Sequence, residues 1–188
     1  MGQLIPPSSK GNLFILSGPR EIGKTSFLIS LLKQTSLLNL STAGLISPAV
    51  FENGKKTAID LLDLQSGITR RLAYRRKEKD EGVLTGHWTF DPEVLNWGNQ
   101  VLGKSCPCDL LVVDELGPIE LERGQGWQNG ILALSSGNYK AAVAVIRPEL
   151  IEKACQLWPQ GRMLLIHQNP DPELLLKQNM ILMALSLT

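Results

Sequence analysis

A chain of 188 residues, 43% hydrophobic and 20% charged, has the length and composition of one globular domain with a sizeable core. Its net charge of +1 gives no electrostatic basis for general nucleic-acid binding, and no apolar run reaches the ~18 residues that a membrane span requires. The cysteines, Cys106, Cys108 and Cys155, are too few and of the wrong parity for a disulfide framework.

The opening MGQLIPPSSKGN is polar and Pro-rich and lacks the apolar stretch of a signal peptide. Residues 1–11 are expected to be a flexible start, residues 1–188 a single domain, and the cytoplasm its setting. Pro6 stands where a myristoylation pattern requires Ser or Thr. Asn12–Ser17 is a short apolar run, the pattern of a strand buried on both faces. It leads into Gly18-Pro19-Arg20-Glu21-Ile22-Gly23-Lys24-Thr25, a complete GxxxxGK[ST] string between an apolar strand and a helix. In such a loop successive N–H groups face inward as an anion nest, and the helix that follows aims its positive end at the same place. Lys24 is then expected to reach the β- and γ-phosphates of a nucleoside triphosphate and the Thr25 hydroxyl to ligate Mg²⁺. Ser26 is a further candidate, for the α-phosphate. Lys24 to Thr35 is apolar nearly all round and reads as a buried helix.

Ala43–Ser47 reads as a second buried strand. From Pro48 to about Tyr74 the pattern becomes an antiparallel meander, with a hairpin signal at Asn53-Gly54 and another turn at Gln65-Ser66-Gly67. Arg70 to Glu81 mixes six basic and three acidic residues. It reads as a solvated strand end and loop, with an edge that meets phosphates or a partner as the alternative. A strand at His87–Phe90 precedes Asp91-Pro92, an N-cap followed by Pro at the first helical position. Val94, Leu95, Gly98, Val101 and Leu102 keep helical spacing behind it. Cys106-Pro107-Cys108 has CxC rather than CxxC spacing and no second ligand pair, so free thiols in a loop are expected.

Leu110–Val113 ends in Asp114-Glu115, a Walker-B pattern whose Asp lies near the metal at the carboxyl edge of the sheet. Asp114 is the candidate for holding a metal-bound water. Glu115, pointing the other way off the strand end, is the candidate for orienting or deprotonating an attacking water; an exposed loop acid is the alternative. Two adjacent carboxylates favour hydrolysis over transfer to a substrate hydroxyl. Asp114-Glu115-Leu116-Gly117 is also a DxxG, in which the Gly117 N–H could sense a γ-phosphate, but the base-reading NKxD is missing and His167–Asp171 does not supply it. Helices near Gln128–Leu134, Glu149–Leu157 and Glu173–Ala184 alternate with strands Ala141–Ile146 and Met163–Ile166, which implies a mainly parallel sheet covered on both faces. Trp88, Trp97, Trp127 and Trp158 read as packing residues.

Three segments, GPREIGKT, the strand Gly44–Ser47 with its hairpin VFENGKKTAIDLLDL, and VVDELGPIEL (Val112–Leu121), resemble the THEP-type nucleoside-triphosphatases. That family carries a closely similar Asp-Glu-[Ile/Leu]-Gly-x-x-Glu-Leu, and the likeness runs over roughly residues 12 to 170. The resemblance implies an α/β, three-layer P-loop NTPase (RecA-like) fold, with Ala141–Ile146 between the P-loop strand and the Walker-B strand. It implies Mg²⁺-dependent hydrolysis of ATP and other nucleoside triphosphates, with Lys24 and Thr25 on phosphate and Mg²⁺, Asp114 as the metal-side acid and Glu115 as the catalytic acid. The strand order would bring Arg147 beside the γ-phosphate as a cationic sensor; Arg20 and Arg123 compete for that role, and an Arg capping a strand end is the alternative. Many members have Lys where this chain has Pro118. Glu120 keeps the family's second acid, read as one half of a structural salt bridge. Two other functions stay open: a P-loop kinase for a small-molecule acceptor, and a slow nucleotide-dependent switch moving through the Gly-rich Leu116–Trp127 loop.

Overall fold

The computed structural model describes residues 11–76, 83–85 and 87–186. The expected flexible start therefore lies outside the described residues save for Gly11, as does the Lys77–Glu81 end of the basic stretch. In chain order the elements are β1 (Asn12–Ser17), α1 (Lys24–Leu37), β2 (Thr42–Ile46), β3 (Ala49–Glu52), β4 (Lys55–Asp63), β5 (Thr69–Arg75), β6 (Val83–Thr85) and β7 (Trp88–Phe90). There follow α2 (Pro92–Leu102), β8 (Cys108–Leu116), α3 (Pro118–Leu121), α4 (Gln128–Ser136) and β9 (Tyr139–Ile146). A 3₁₀ turn at Pro148–Leu150, α5 (Ile151–Leu157), β10 (Arg162–Leu165) and α6 (Leu174–Ser186) complete them.

The strands form one sheet in the order β10-β1-β9-β8-β2-β4-β5-β7-β6, with β3 also on β4. From β10 to β2 all neighbours run parallel; beyond β2 they are antiparallel. The implied order is present: β9 lies between the P-loop strand β1 and the Walker-B strand β8. The meander is present too. Its β3–β4 turn has positive φ at both Asn53 and Gly54, as a type I′ hairpin requires.

Alternation along the parallel strands divides the core in two. Leu13, Ile15, Leu111, Val113, Ala142 and Ala144 face Val94, Leu102, Leu134 and Ala154 from the α2, α4 and α5 layer. Phe14, Leu16, Leu110, Val112, Val143 and Val145 face Phe27, Leu28 and Leu31 of α1 and Ile181 and Leu185 of α6. Both faces being covered explains why these strands read as unbroken apolar runs. Trp127 and Trp158 are buried in the first of these clusters.

Several expectations need correction. Beyond the buried Lys24 at its start, the first helix buries only the face carrying Phe27, Leu28, Leu31 and Thr35, while Ile29 and Leu37 are exposed, because the sheet covers a single side of it. The described part of the basic stretch is more than a strand end: Arg70, Arg71 and Arg75 lie within β5, between β4 and β7, around the buried Leu72 and Ala73, with Arg70 and Arg75 exposed. Arg71 there pairs with Asp60 at 2.5 Å, and the Arg70 guanidinium lies over the Trp97 ring, so neither is an open phosphate-binding edge. β6 and α3, short at 3 and 4 residues, carry too few residues for a periodicity. Among the described residues no helix is long and apolar enough to cross a membrane.

The amino ends of three adjacent strands are tied by Asp109. Its Oδ2 accepts from the Ser41 N–H and hydroxyl (2.8 and 2.7 Å), and Oδ1 lies 3.1 Å from Lys140 Nζ. The Ser41 hydrogen bonds, with Lys140 adding less, hold the Asp109 carboxyl below its usual range. A depressed folded-state pKa contributes stability above the unfolded value and loses it as pH falls through the folded one. The stability difference between wild type and Asp109→Asn, about 1 kcal/mol or less at this partly exposed site, is therefore expected to be complete at pH 7. It should close below about pH 4, read as urea midpoints across pH 3–7.

Candidate active site

The carboxyl ends of β1, β9, β8 and β2 gather the chemistry on one edge of the sheet, where ligands of parallel α/β folds bind. The loop from Gly18 to Gly23 turns directly into α1 at Lys24, whose first N–H groups have no side-chain cap. Gly23 has φ 106° and the Asn169 amide lies 3.4 Å from where its Cβ would stand, so a side chain there would meet both strain and a neighbour. Pro19, Arg20 and Glu21 are exposed, Ile22 is half-buried and packs on the α1 side of the core, and Ser26 is exposed at the helix start. Lys24 is buried and its Nζ donates to the Gly18 and Pro19 carbonyls at 2.8 Å each. Burial lowers its pKa from the usual lysine value, against the pull of Glu115 and Asp114.

β8 runs on through the acidic pair to Leu116, so Glu115 lies within the strand and not beyond its end. Val113 pairs with Ala144 and Leu116 with Ile146, leaving Asp114 and Glu115 opposite the single residue Val145. This is a bulge, and bulges re-aim side chains beside functional sites. Asp114, 3% exposed, takes the Thr25 hydroxyl (3.1 Å) and the Ser47 N–H (3.2 Å) on Oδ2, and its backbone carbonyl takes the Ser47 hydroxyl at 2.6 Å. Burial pushes its pKa up to about 6, against the Ser47 and Thr25 hydrogen bonds and the Lys24 charge. Glu115 is half-buried and its Oε1 accepts from Arg147 Nε at 2.5 Å.

Thr25, Asp114, Glu115, Lys24 and Arg147 thus lie together at this edge. Of the three competing arginines, Arg147 meets an acid of this cluster; Arg20 and Arg123 are exposed and make no side-chain hydrogen bond or ion pair with the described residues. The Gly117 N–H does not face the phosphate site in the manner of a GTPase. It donates instead to Glu120 Oε2 at 2.9 Å, and Glu120 Oε1 accepts the Trp127 N–H at 3.3 Å. Glu120, expected in a salt bridge, has no ion pair among the described residues; it is the N3 acid of α3, satisfying the N-cap amide. Pro118 occupies the first position of that helix, where its missing N–H costs nothing.

Sequence reasoning missed Ser47 and Asn169. A hydroxyl closing an apolar strand was the available signal for Ser47; Asn169 had none, since it reaches Gly23 only through the pairing of β10 with β1. For the implied Mg²⁺, Thr25 Oγ1 and Asp114 Oδ2 converge as hard oxygen donors, and a cation that keeps several waters and phosphate oxygens needs only one or two from protein. The residues fit.

The NTPase family model matches residues 13–159. The nucleoside-triphosphatase THEP1 of Ignicoccus hospitalis is 28% identical over 135 residues, 72% of this chain and 75% of that protein. That of Saccharolobus solfataricus is 31% identical over 112 residues, 58% and 62% of the respective lengths. Among solved structures, a human cancer-related nucleoside triphosphatase superposes with TM-score 0.71 at 17% identity, covering 95% of this chain and 99% of that one. THEP1 from Aquifex aeolicus superposes with TM-score 0.60 at 15% identity, covering 89% and 98%; at these identities the likeness shows the fold. With 147 contiguous residues matched by the family model and a P-loop facing an Asp-Glu bulge at the edge of the sheet, the chain belongs to the NTPase family as a THEP-type nucleoside-triphosphatase.

Proposed function

We propose that this chain, acting as one P-loop domain, hydrolyses ATP and other nucleoside triphosphates to diphosphate and phosphate in a Mg²⁺-dependent reaction with water as the acceptor. The observation that carries this reading is the β8 bulge, which sends Asp114 to Thr25 and Glu115 to Arg147 from adjacent positions. One carboxylate is thereby committed to the metal side and the other is left for water. The three cysteines are free thiols, in keeping with a reducing, cytoplasmic setting.

In this reading the Gly18–Ser26 backbone cradles the phosphates, and Lys24 exchanges its two carbonyl partners for β- and γ-phosphate oxygens. Thr25 and Asp114 hold Mg²⁺, which when bound neutralises phosphate charge. Glu115 orients the attacking water and takes its proton. Arg147 is the cation opposite Glu115, at the end of β9 beside the P-loop strand, where it offsets charge building on the γ-phosphate. A kinase or a slow switch would use the same P-loop but would not need the paired acids.

Phosphate release from a panel of nucleoside triphosphates tests these roles. Glu115→Gln is expected to lower kcat about 10²- to 10⁴-fold while nucleotide affinity, measured by calorimetry, stays near wild type; unchanged turnover would remove Glu115 from the chemistry. Lys24→Ala should weaken nucleotide binding about ten- to a hundredfold, the loss of a charge-assisted contact. Chelation with EDTA is expected to stop phosphate release and added Mg²⁺ to restore it. Release only on addition of an acceptor molecule would point to the kinase.

A further inference from the structure

Between β8 and α4 the chain makes the loop Leu116–Trp127, and at its centre Glu120 turns inward, 8% exposed. Its two carboxylate oxygens take the N–H groups of Gly117 and Trp127, the two ends of the loop. The Glu120 backbone carbonyl accepts from Gln128 Nε2 at 3.1 Å, which ties the same turn to α4. Gly126 makes room for the carboxylate: with φ 65°, a Cβ there would stand 2.1 Å from Glu120 Oε1. The Gly117 bond, at 2.9 Å, has the length of a charge-assisted hydrogen bond and the Trp127 bond, at 3.3 Å, is longer; together they close a loop with three glycines at 117, 124 and 126.

The fastening reaches the site through Gly117. A Cβ on Gly117 would lie 3.6 Å from Arg147 Cζ and Nη2, so the guanidinium sits beside the open face of this glycine while its Nε donates to Glu115. Glu115 is the partner the structure gives the Arg147 side chain for hydrogen bonding among the described residues. The rest of the guanidinium lies on the Gly117 side, and Glu120, whose carboxyl burial holds above its usual range, is near enough to feel the Arg147 charge.

We propose that Glu120 is a positioning residue for hydrolysis, acting through Gly117 to hold the Arg147 guanidinium against Glu115. This rests on the reading of Glu115 and Arg147 as residues of the hydrolytic site. A gain in distance of the order of 1 Å between reacting groups can cost ~10²-fold in rate, so a loosened Gly117 platform reduces kcat without touching the P-loop that binds nucleotide. A loop fastening with no catalytic consequence would lower stability alone.

The test is a double-mutant cycle on steady-state phosphate release with Mg²⁺ and ATP, using wild type, Glu120→Gln, Arg147→Ala and the double variant. Glutamine keeps the shape but can offer an acceptor to only one of the two amides. Glu120→Gln is expected to lower kcat about ten- to a hundredfold with KM for ATP within about twofold. In the Arg147→Ala background the same change should cost less than about twofold, because the group it positions is gone. Should Glu120→Gln fail to fold, Gly126→Ala displaces the same carboxylate and must show the same dependence on Arg147. Unchanged kcat in Glu120→Gln, or an equal fold-loss in both backgrounds, would overturn the proposal. A wild type releasing no phosphate would instead defeat the hydrolytic reading itself.

Discussion

Asp114 is an almost fully buried carboxylate, and such a group is tolerated only where hydrogen bonds replace the water it has lost. Its Oδ2 takes donors from two elements: the hydroxyl of Thr25 at the start of α1, and the N–H of Ser47 just after β2. The Ser47 hydroxyl adds a second tie to the Asp114 backbone. Meeting the demand of one side chain therefore docks the P-loop helix and the β2 end onto the end of β8. The Gly18–Gly23 loop, the Thr25 and Asp114 oxygens and the route into the meander are all registered to that point.

Two cations and two carboxylates then share the sheet edge: Lys24, Arg147, Asp114 and Glu115. Their electrostatics are mutual. Glu115 and Asp114 favour the charged form of Lys24, Lys24 favours the charged form of Asp114, and burial opposes both. The bulge separates the acids, one toward α1 and one toward β9, so neighbouring residues in sequence have different partners. Glu120 extends the same logic into the loop, where backbone amides rather than a cation satisfy a buried acid.

Much of the fold was legible because the parallel strands are covered on both faces. Asn12–Ser17, Leu110–Val113 and Ala141–Ile146 read as apolar runs for that reason, and Asn53-Gly54 announced its hairpin because few residue pairs accept two positive φ angles. Where the reading failed, the cause was a pattern that sequence does not carry. The β5 arginines read as a solvated strand end because Asp60 and Trp97, which receive two of them, lie 11 and 27 residues away in the chain. The segment Lys24 to Thr35 looked buried all round because its exposed face carries Ile29, an apolar residue that composition cannot distinguish from core.

The candidate site divides in the same way. Gly18–Thr25 and Asp114-Glu115 were readable from sequence alone, since a phosphate nest and a metal-side acid demand particular residue types at short spacing. By itself, then, the sequence determined a GxxxxGK[ST] loop between a strand and a helix and an apolar strand running into two adjacent acids. Only the tertiary structure decided what those acids meet. The bulge aims Glu115 at Arg147, and the hydrogen-bonding of Glu120 to Gly117 and Trp127 replaces the salt bridge its charge suggested. Spacing along a chain specifies contacts within a turn or a strand, whereas contacts between strand ends depend on sheet order and register, which are properties of the packed whole.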